Sequence, residues 1–286
     1  KHYDVASTHS LSANYVLSLY SKDNENIYLC TSGGIDLLNT RTGTISSVFK
    51  DRQLINKLSA LVINNAMVDR RNQLWIATDN GINVYNADLN TIKQINTDNG
   101  LPSDQVVSLV EADNGMIWAG TRNGLACVSG VLNTQTKDYD YSVISFDESD
   151  GLVSAIFNPN AVHKARDGRL YFGCTKGYSV FDPEKIRFNK QVPMPKITSL
   201  VIGNEEIVPF KEFDGCQVLK QSITHLKELE LSYDQNNFSL YFSAMSYIHP
   251  MKNQYRYQLK GLDKTWNISR NGMVNYSNLA PGSYEL

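Results

Sequence analysis

Three aspartates, Asp69, Asp113 and Asp167, each stand a few positions before an aromatic residue, so a carboxylate set is the first chemistry to weigh. Glycoside cleavage needs two carboxyl groups flanking one bond at about 5–10 Å. These three acids fall in what read as equivalent turns of separate repeated units, which makes them turn formers and leaves no catalytic residue to assign. A second set stands between two readings. Asn14 and Tyr15, Asp104 and Gln105, and Phe157 and Asn158 offer amides, a carboxylate and aromatic faces, groups that suit a polar ligand but that are also those of plain solvated loops. They lie in segments 12–15, 104–105 and 154–158, which, with Asn56 and Lys57, are places where otherwise similar stretches differ. No nucleophile elbow, Walker loop or His-Glu-x-x-His motif is present. The five histidines are scattered, and His163, inside a strand pattern, reads as structural. Cys30, Cys127, Cys174 and Cys216 are far apart with no Cys-x-x-Cys, so they read as buried free thiols. No metal site and no cofactor are expected.

What must position these groups is a repeat. An aromatic, two small or apolar residues, a Thr or Cys, two further residues and a Gly recur four times. The copies are Tyr28 to Gly34, Trp75 to Gly81, Trp118 to Gly124 and Tyr171 to Gly177, with aromatics at positions 28, 75, 118 and 171. A unit of this size built from short strands is the signature of a β-propeller blade. In the third copy a strand over 106–111, a turn at Asp113-Asn114-Gly115, a second strand over 117–120, a third over 125–128 and an outer strand over 141–146 follow in order. The outer strands of the first two copies fall at 45–49 and 92–95, and residues 1–5 fit the outer strand of a preceding blade. An aromatic at one fixed place in every copy packs between blades, so Tyr28, Trp75, Trp118 and Tyr171 are expected in the core. Thr31, Thr78 and Thr121 are expected to satisfy turn backbone groups through their hydroxyls.

After Pro193-Met194-Pro195 the repeat stops. Strand patterns at 197–202, 228–232, 238–243 and 255–259 point to an immunoglobulin-like β-sandwich. The expected organisation is all-β: about four blades of four antiparallel strands over 1–190, then a sandwich over 191–286 that lacks its last strand. Sixteen Tyr, only eight Pro and a net charge of -2 with no basic run suit β structure and argue against nucleic acid as a partner. No apolar run reaches the roughly 20 residues of a membrane helix. The start at Lys1 and the end inside a strand pattern at Tyr284-Glu285-Leu286 read as those of a piece of a longer protein.

These residues carry a resemblance. Leu101-Pro102-Ser103-Asp104-Gln105-Val106, followed by Asp113, Gly115, Trp118-Ala119-Gly120-Thr121 and Gly124-Leu125, resembles the two-component regulator propeller repeat. Tyr255-Arg256-Tyr257, Gly261, Asp263, Trp266, then Tyr276, Asn278-Leu279, Pro281-Gly282 and Tyr284, resembles the three-tyrosine domain that follows such propellers in sensor ectodomains of hybrid two-component systems. The resemblance implies a periplasmic sensor, not an enzyme in itself, that detects an oligosaccharide released from a polysaccharide. It further implies a membrane helix outside this chain, a sensor histidine kinase as the parent, control of transcription for glycan use, and self-association as a dimer. Tyr257, Trp266, Tyr276 and Tyr284 are expected to form the aromatic core of the sandwich. The rival readings are a polysaccharide-active propeller enzyme and a protein-interaction scaffold.

Overall fold

The computed structural model describes residues 11–49, 51–187, 194–244, 255–269 and 271–286, so the strand expected at 1–5 lies outside the described residues. The chain divides into two compact units, one ending at Arg187 and the other beginning at Phe188. Both are built of antiparallel sheets.

The first unit contains four sheets in chain order. β1 (Val16–Ser21), β2 (Asn26–Thr31), β3 (Gly34–Asn39) and β4 (Thr44–Ser47) form the first blade. A short helix, α1 (Arg52–Ile55), capped by the Asp51 carboxylate, leads to the second blade. That blade is β5 (Ile63–Val68), β6 (Leu74–Thr78), β7 (Gly81–Asn86) and β8 (Thr91–Ile95). The third is β9 (Val106–Glu111), β10 (Ile117–Thr121), β11 (Gly124–Asn133) and β12 (Asp138–Phe146). The fourth has three strands among the described residues, β13 (Phe157–Lys164), β14 (Leu170–Cys174) and β15 (Gly177–Phe181).

The repeat explains the sheet geometry. Its Gly opens each third strand at positive φ: 144° at Gly34, 95° at Gly81, 128° at Gly124 and 135° at Gly177, a conformation that a side chain strains. The Thr hydroxyls bind the turn as expected. Thr31, Thr78 and Thr121 each donate to the carbonyl of that Gly at 2.7–2.9 Å and accept from the backbone N–H two residues on. Three of the four repeat aromatics, Tyr28, Trp75 and Trp118, are buried between blades; Tyr171 is a correction, half-buried with its ring 6.1 Å from Tyr178 of its own blade, because among the described residues no further blade follows to cover it. Trp75 meets Tyr141 of the third blade edge-on at 5.1 Å, and Trp118 lies 4.7 Å from Phe181 of the fourth. Both indoles are fully buried: Trp75 belongs to a continuous apolar layer joining the second and third blades, and Trp118 lies between Phe146 of its own blade and Phe181 of the fourth. β11 and β12 run longer than the expected 125–128 and 141–146, because their extension is clamped onto the second blade. Lys93 pairs with Asp138 at 3.2 Å, and the Arg71 guanidinium sits over the Tyr139 ring at 4.7 Å.

The three aspartates do not occupy equivalent places. Counted back from the repeat aromatic, Asp69 stands six residues before Trp75, Asp113 five before Trp118, and Asp167 four before Tyr171. The Asp69 position is Ala112 in the third copy and Ala165 in the fourth. The consequence is visible at the indoles: Trp75 Nε1 donates to Asp69 at 3.1 Å, whereas among the described residues buried Trp118 Nε1 has no partner.

In the second unit β16 (Lys196–Ile202) pairs with β17 (Glu205–Glu206) and β18 (Phe238–Ser243), and β18 with β21 (Met273–Tyr276). β19 (Tyr255–Tyr257) and β20 (Asn267–Ser269) form a separate hairpin. Leu200, Ile202, Leu240, Leu259, Val274 and Tyr276 make the core, with Tyr257 and Tyr284 packed against it. Two expectations fail here. Residues 228–232 are not assigned to a strand: alternate Leu229 and Leu231 lean on the core, but among the described residues the segment pairs with no neighbour, and it runs into a 3₁₀ turn. Trp266 is not a core residue. It is 53% exposed and stacks on the Arg256 guanidinium at 4.8 Å, because Arg256, opposite Ile268 in the hairpin, points to the outer face.

Candidate ligand-binding site

The first strands of the blades, β1, β5, β9 and β13, gather along one centre, with β5 touching β1, β9 and β13. Each blade enters this centre through a loop, and the loops are latched by one repeated device. Three residues into the third strand, counted from the repeat Gly, stand Asp36, Asn83, Ala126 and Ser179. Asp36 accepts from Ser12 N–H at 2.7 Å and Ser12 Oγ at 2.6 Å. Asn83 accepts from Ser59 N–H at 2.9 Å and donates to Ser59 Oγ at 2.7 Å. Ser179 Oγ accepts from Val153 N–H at 3.3 Å. In the third copy the loop residue is Pro102, which has no N–H to satisfy, and the strand residue is accordingly Ala126. Two of the loops are launched from matching 3₁₀ turns, Thr97–Asn99 and Glu148–Asp150, each closed by a capping box and by a left-handed Gly, Gly100 or Gly151.

Beyond the latches the first strands are bulged, and the bulges carry polar groups into the centre. Register slips between Val16 and Ser18, Ile63 and Asn65, and Phe157 and Val162. Asn64 Nδ2 donates to Asp79 at 2.8 Å and to the Val106 carbonyl at 2.9 Å. Asn160, at φ 57° in the widest bulge, donates to the Leu17 carbonyl at 3.0 Å and accepts from Asn65 at 2.8 Å. One amide thus ties the fourth blade to the first and second. Arg122 N–H donates to the Gln105 carbonyl at 3.1 Å, and its guanidinium reaches the Phe157 carbonyl at 3.4 Å.

The sequence-expected binding residues divide on this frame. Tyr15 is 70% exposed beside exposed Asn14, and Gln105 is exposed. Asp104 is half-buried, and its carboxylate is occupied by Thr97 N–H at 2.7 Å. Asn158 is half-buried at the start of the β13 bulge. Phe157 is a correction: it is fully buried, edge-on to Phe172 at 5.7 Å, because the first residue of β13 faces the next strand and not the loop. Asn56 caps α1, and the Lys57 carbonyl accepts from Gln94 of the outer strand β8, which draws both to the blade rim. Asn64, Asn65, Arg122 and Asn160 were not singled out from sequence. The Asn158-Pro159-Asn160 run, with a Pro that a strand tolerates only at an edge or bulge, is the signal that marks the last of them.

The opposite face holds the turns between first and second strands. Asp113, Asp167, Asp182 and Glu184 line one groove there. Asp113 and Asp167 therefore do come together, but as ion-paired groups. Asp113 pairs with Lys164 at 2.9 Å, Asp167 with Arg169 at 2.6 Å and Asp182 with Lys185 at 3.0 Å. Hydrogen bonds from Arg169 and Lys185 hold the Asp167 and Asp182 carboxyls below the usual range. Hydrolysis wants one carboxyl pushed the other way, to stay protonated as the acid. Among the described residues no group of His, Cys, Asp and Glu is arranged to hold a metal ion. His163 is an exposed side chain on β13. Cys30, Cys127 and Cys174 are buried as expected, but Cys216 is exposed, in a turn outside any core.

Comparison with known proteins places this architecture. Residues 100–123 match the two component regulator propeller family and residues 246–286 the Y_Y_Y domain family. The chain is 28% identical over 283 residues to histidine kinase P4 of Formosa agariphila, covering 96% of this chain and 20% of that protein. It is 27% identical to the crystallised extracellular domain of a hybrid two component system from B. thetaiotaomicron, with a TM-score of 0.64 over 99% of this chain and 36% of that one. The chain spans well under half the length of either relative. It is organised as a two-component sensor region, propeller repeats followed by a Y_Y_Y domain.

Proposed function

We propose, from a chain built as the sensor region of a two-component system, that it receives an extracytoplasmic signal by binding an oligosaccharide at the centre where β1, β5, β9 and β13 meet. In the parent protein, binding would set the activity of a sensor histidine kinase anchored in the inner membrane and so the transcription of glycan-use genes. The chain itself would reside in the periplasm, act without catalysis, cofactor or nucleic acid, and work in the parent as a dimer. One observation carries this reading. The loops held by the Ser12–Asp36, Ser59–Asn83 and Val153–Ser179 latches are hydrogen-bonded to the blades at their bases, and they present amides and an open Tyr15 ring at their tips. Rigid elements with adaptable polar tips are how a binding site limits the ordering cost of its ligand. The ligand can signal only by binding two arrangements of the protein unequally.

Calorimetric titration of the chain with a panel of plant and host oligosaccharides, followed by product analysis, tests the reading. Saturable binding of an unchanged oligosaccharide supports it. Shortened products would assign an enzyme, and silence across the panel would leave a protein-interaction scaffold.

A further inference from the structure

We infer that this centre selects an anionic sugar, one bearing a carboxylate or a sulfate ester, through the guanidinium of Arg122. The inference rests on the ligand reading above and names its chemical class.

The repeat sets the charge pattern of this face. The residue after the repeat Thr or Cys is Ser32, Asp79, Arg122 and Thr175 in the four copies, so one carboxylate and one guanidinium stand at equivalent turns of neighbouring blades. The carboxylates there are already engaged: Asp79 accepts from Asn64 at 2.8 Å, and Asp104 from Thr97 N–H at 2.7 Å and Thr97 Oγ1 at 3.3 Å. Lys176, in the fourth copy's turn, pairs with Glu148 at 3.4 Å. Arg122 differs. Among the described residues it forms no ion pair, and its guanidinium makes one long hydrogen bond, 3.4 Å to the Phe157 carbonyl. Its backbone is fixed all the same, by the N–H bond to Gln105 and by the Thr121 hydroxyl that ties the turn. A guanidinium carries five N–H donors in a planar fork, and four of these are left for a ligand. That fork matches the paired oxygens of a carboxylate or sulfate. Exposed Gln105 flanks it with an amide suited to ring hydroxyls, and exposed Asn123, whose Nδ2 donates to the Pro102 carbonyl at 3.4 Å, adds an amide oxygen.

The 286-residue chain would be titrated with trigalacturonate, a sulfated galactose disaccharide and neutral xylotriose, beside R122Q, R122K and, as a control on the opposite face, R169Q. One anionic probe is expected to bind at least about tenfold tighter than xylotriose, the scale of one charge-assisted hydrogen bond. R122Q should lower affinity for the anionic probe by at least about tenfold more than for xylotriose and so erase that preference, R122K should keep part of it because charge survives without the fork, and R169Q should change nothing. Which of the two anionic probes binds tells carboxylate from sulfate. Far-UV circular dichroism establishes that each variant is folded. Equal affinity for xylotriose and both anionic probes, or undiminished anion binding by R122Q, overturns the inference and leaves the ligand reading standing. Failure of every oligosaccharide to bind removes both.

Discussion

Replacing Asp69 tests whether the repeat aromatics are held by polar contacts as well as by burial. The Asp69 carboxylate is buried, and four donors converge on it: Arg71 N–H at 2.9 Å, Gln73 N–H at 2.9 Å, Trp75 Nε1 at 3.1 Å and Arg71 Nε at 3.0 Å. In D69A the guanidinium of Arg71, whose side chain is 20% exposed, can turn to water. Gln73 N–H and Trp75 Nε1 cannot, since both residues are buried. Each stranded donor costs about 1–3 kcal/mol, so D69A should lose roughly 2–6 kcal/mol. For a unit of this size that is a fall in Tm of roughly 4–24 °C. D69N keeps the shape and one acceptor oxygen, and should lose less than D69A. Urea unfolding followed by far-UV circular dichroism gives the numbers. The third blade supplies an internal comparison, since among the described residues the buried Trp118 Nε1 has no partner in the copy where Ala112 stands at the Asp69 position, and the D69A penalty should be smaller in a W75F background, which has no indole donor to strand. A D69A protein within about 1 kcal/mol of the unmodified chain would refute the reasoning and leave the Trp75 layer held by apolar burial alone.

The remaining predictions concern other parts of the frame. Gly120 has no room for a side chain, since a Cβ would lie 2.6 Å from Ser108 Oγ and 3.3 Å from Phe157 and Phe172, so G120A should lose about 1–3 kcal/mol in the same unfolding assay. Thiol titration of the native protein with an aromatic disulfide at pH 8 should find Cys216 reacting fast, with Cys30, Cys127 and Cys174 reacting only on unfolding. Burial pushes the Cys30 thiol up to about 11 and the Cys127 thiol up to about 12. The unfolded chain therefore gives up these protons first. The thiols' contribution to stability should be full below about pH 9, then fall by about 1.4 kcal/mol per pH unit per thiol, for Cys30 to pH 11 and for Cys127 to pH 12. C127A should flatten that slope, and an unchanged slope would show that other groups set it. N83A strands the Ser59 N–H of its loop latch and should raise amide exchange at 58–62 more than at 86–90.

Much of the architecture was legible because a blade is a local object. Aromatic, Thr and Gly at fixed spacing specify a hairpin whose donors and acceptors are met within a few residues, as the Thr31, Thr78 and Thr121 bonds show. What was not legible depends on partners far along the chain. Asn160 finds Leu17 and Asn65 only because the blades curve round one centre; the Asn158-Pro159-Asn160 run announces a bulge there but not those partners. Phe157 looked like a platform because it borders a variable loop, but its parity on β13 turns it inward. Asp69, Asp113 and Asp167 looked equivalent because each sits in a hairpin turn, and a shift of one residue from copy to copy gives them different jobs. In the second unit the alternation of 228–232 was real, yet apolar alternation does not create a pairing neighbour, and Trp266 followed its hairpin face outward against its own hydrophobicity.

The central claim is that the chain holds an intact oligosaccharide where the four first strands meet. Hydrogen–deuterium exchange with and without a saturating oligosaccharide from the panel tests it most directly. Slowed exchange at 12–17, 104–106, 122–123 and 157–161, with 113–116 and 166–169 unchanged and the sugar recovered whole, is the predicted result. Protection centred on the Asp113 and Asp167 groove, or recovery of a cleaved sugar, would contradict it.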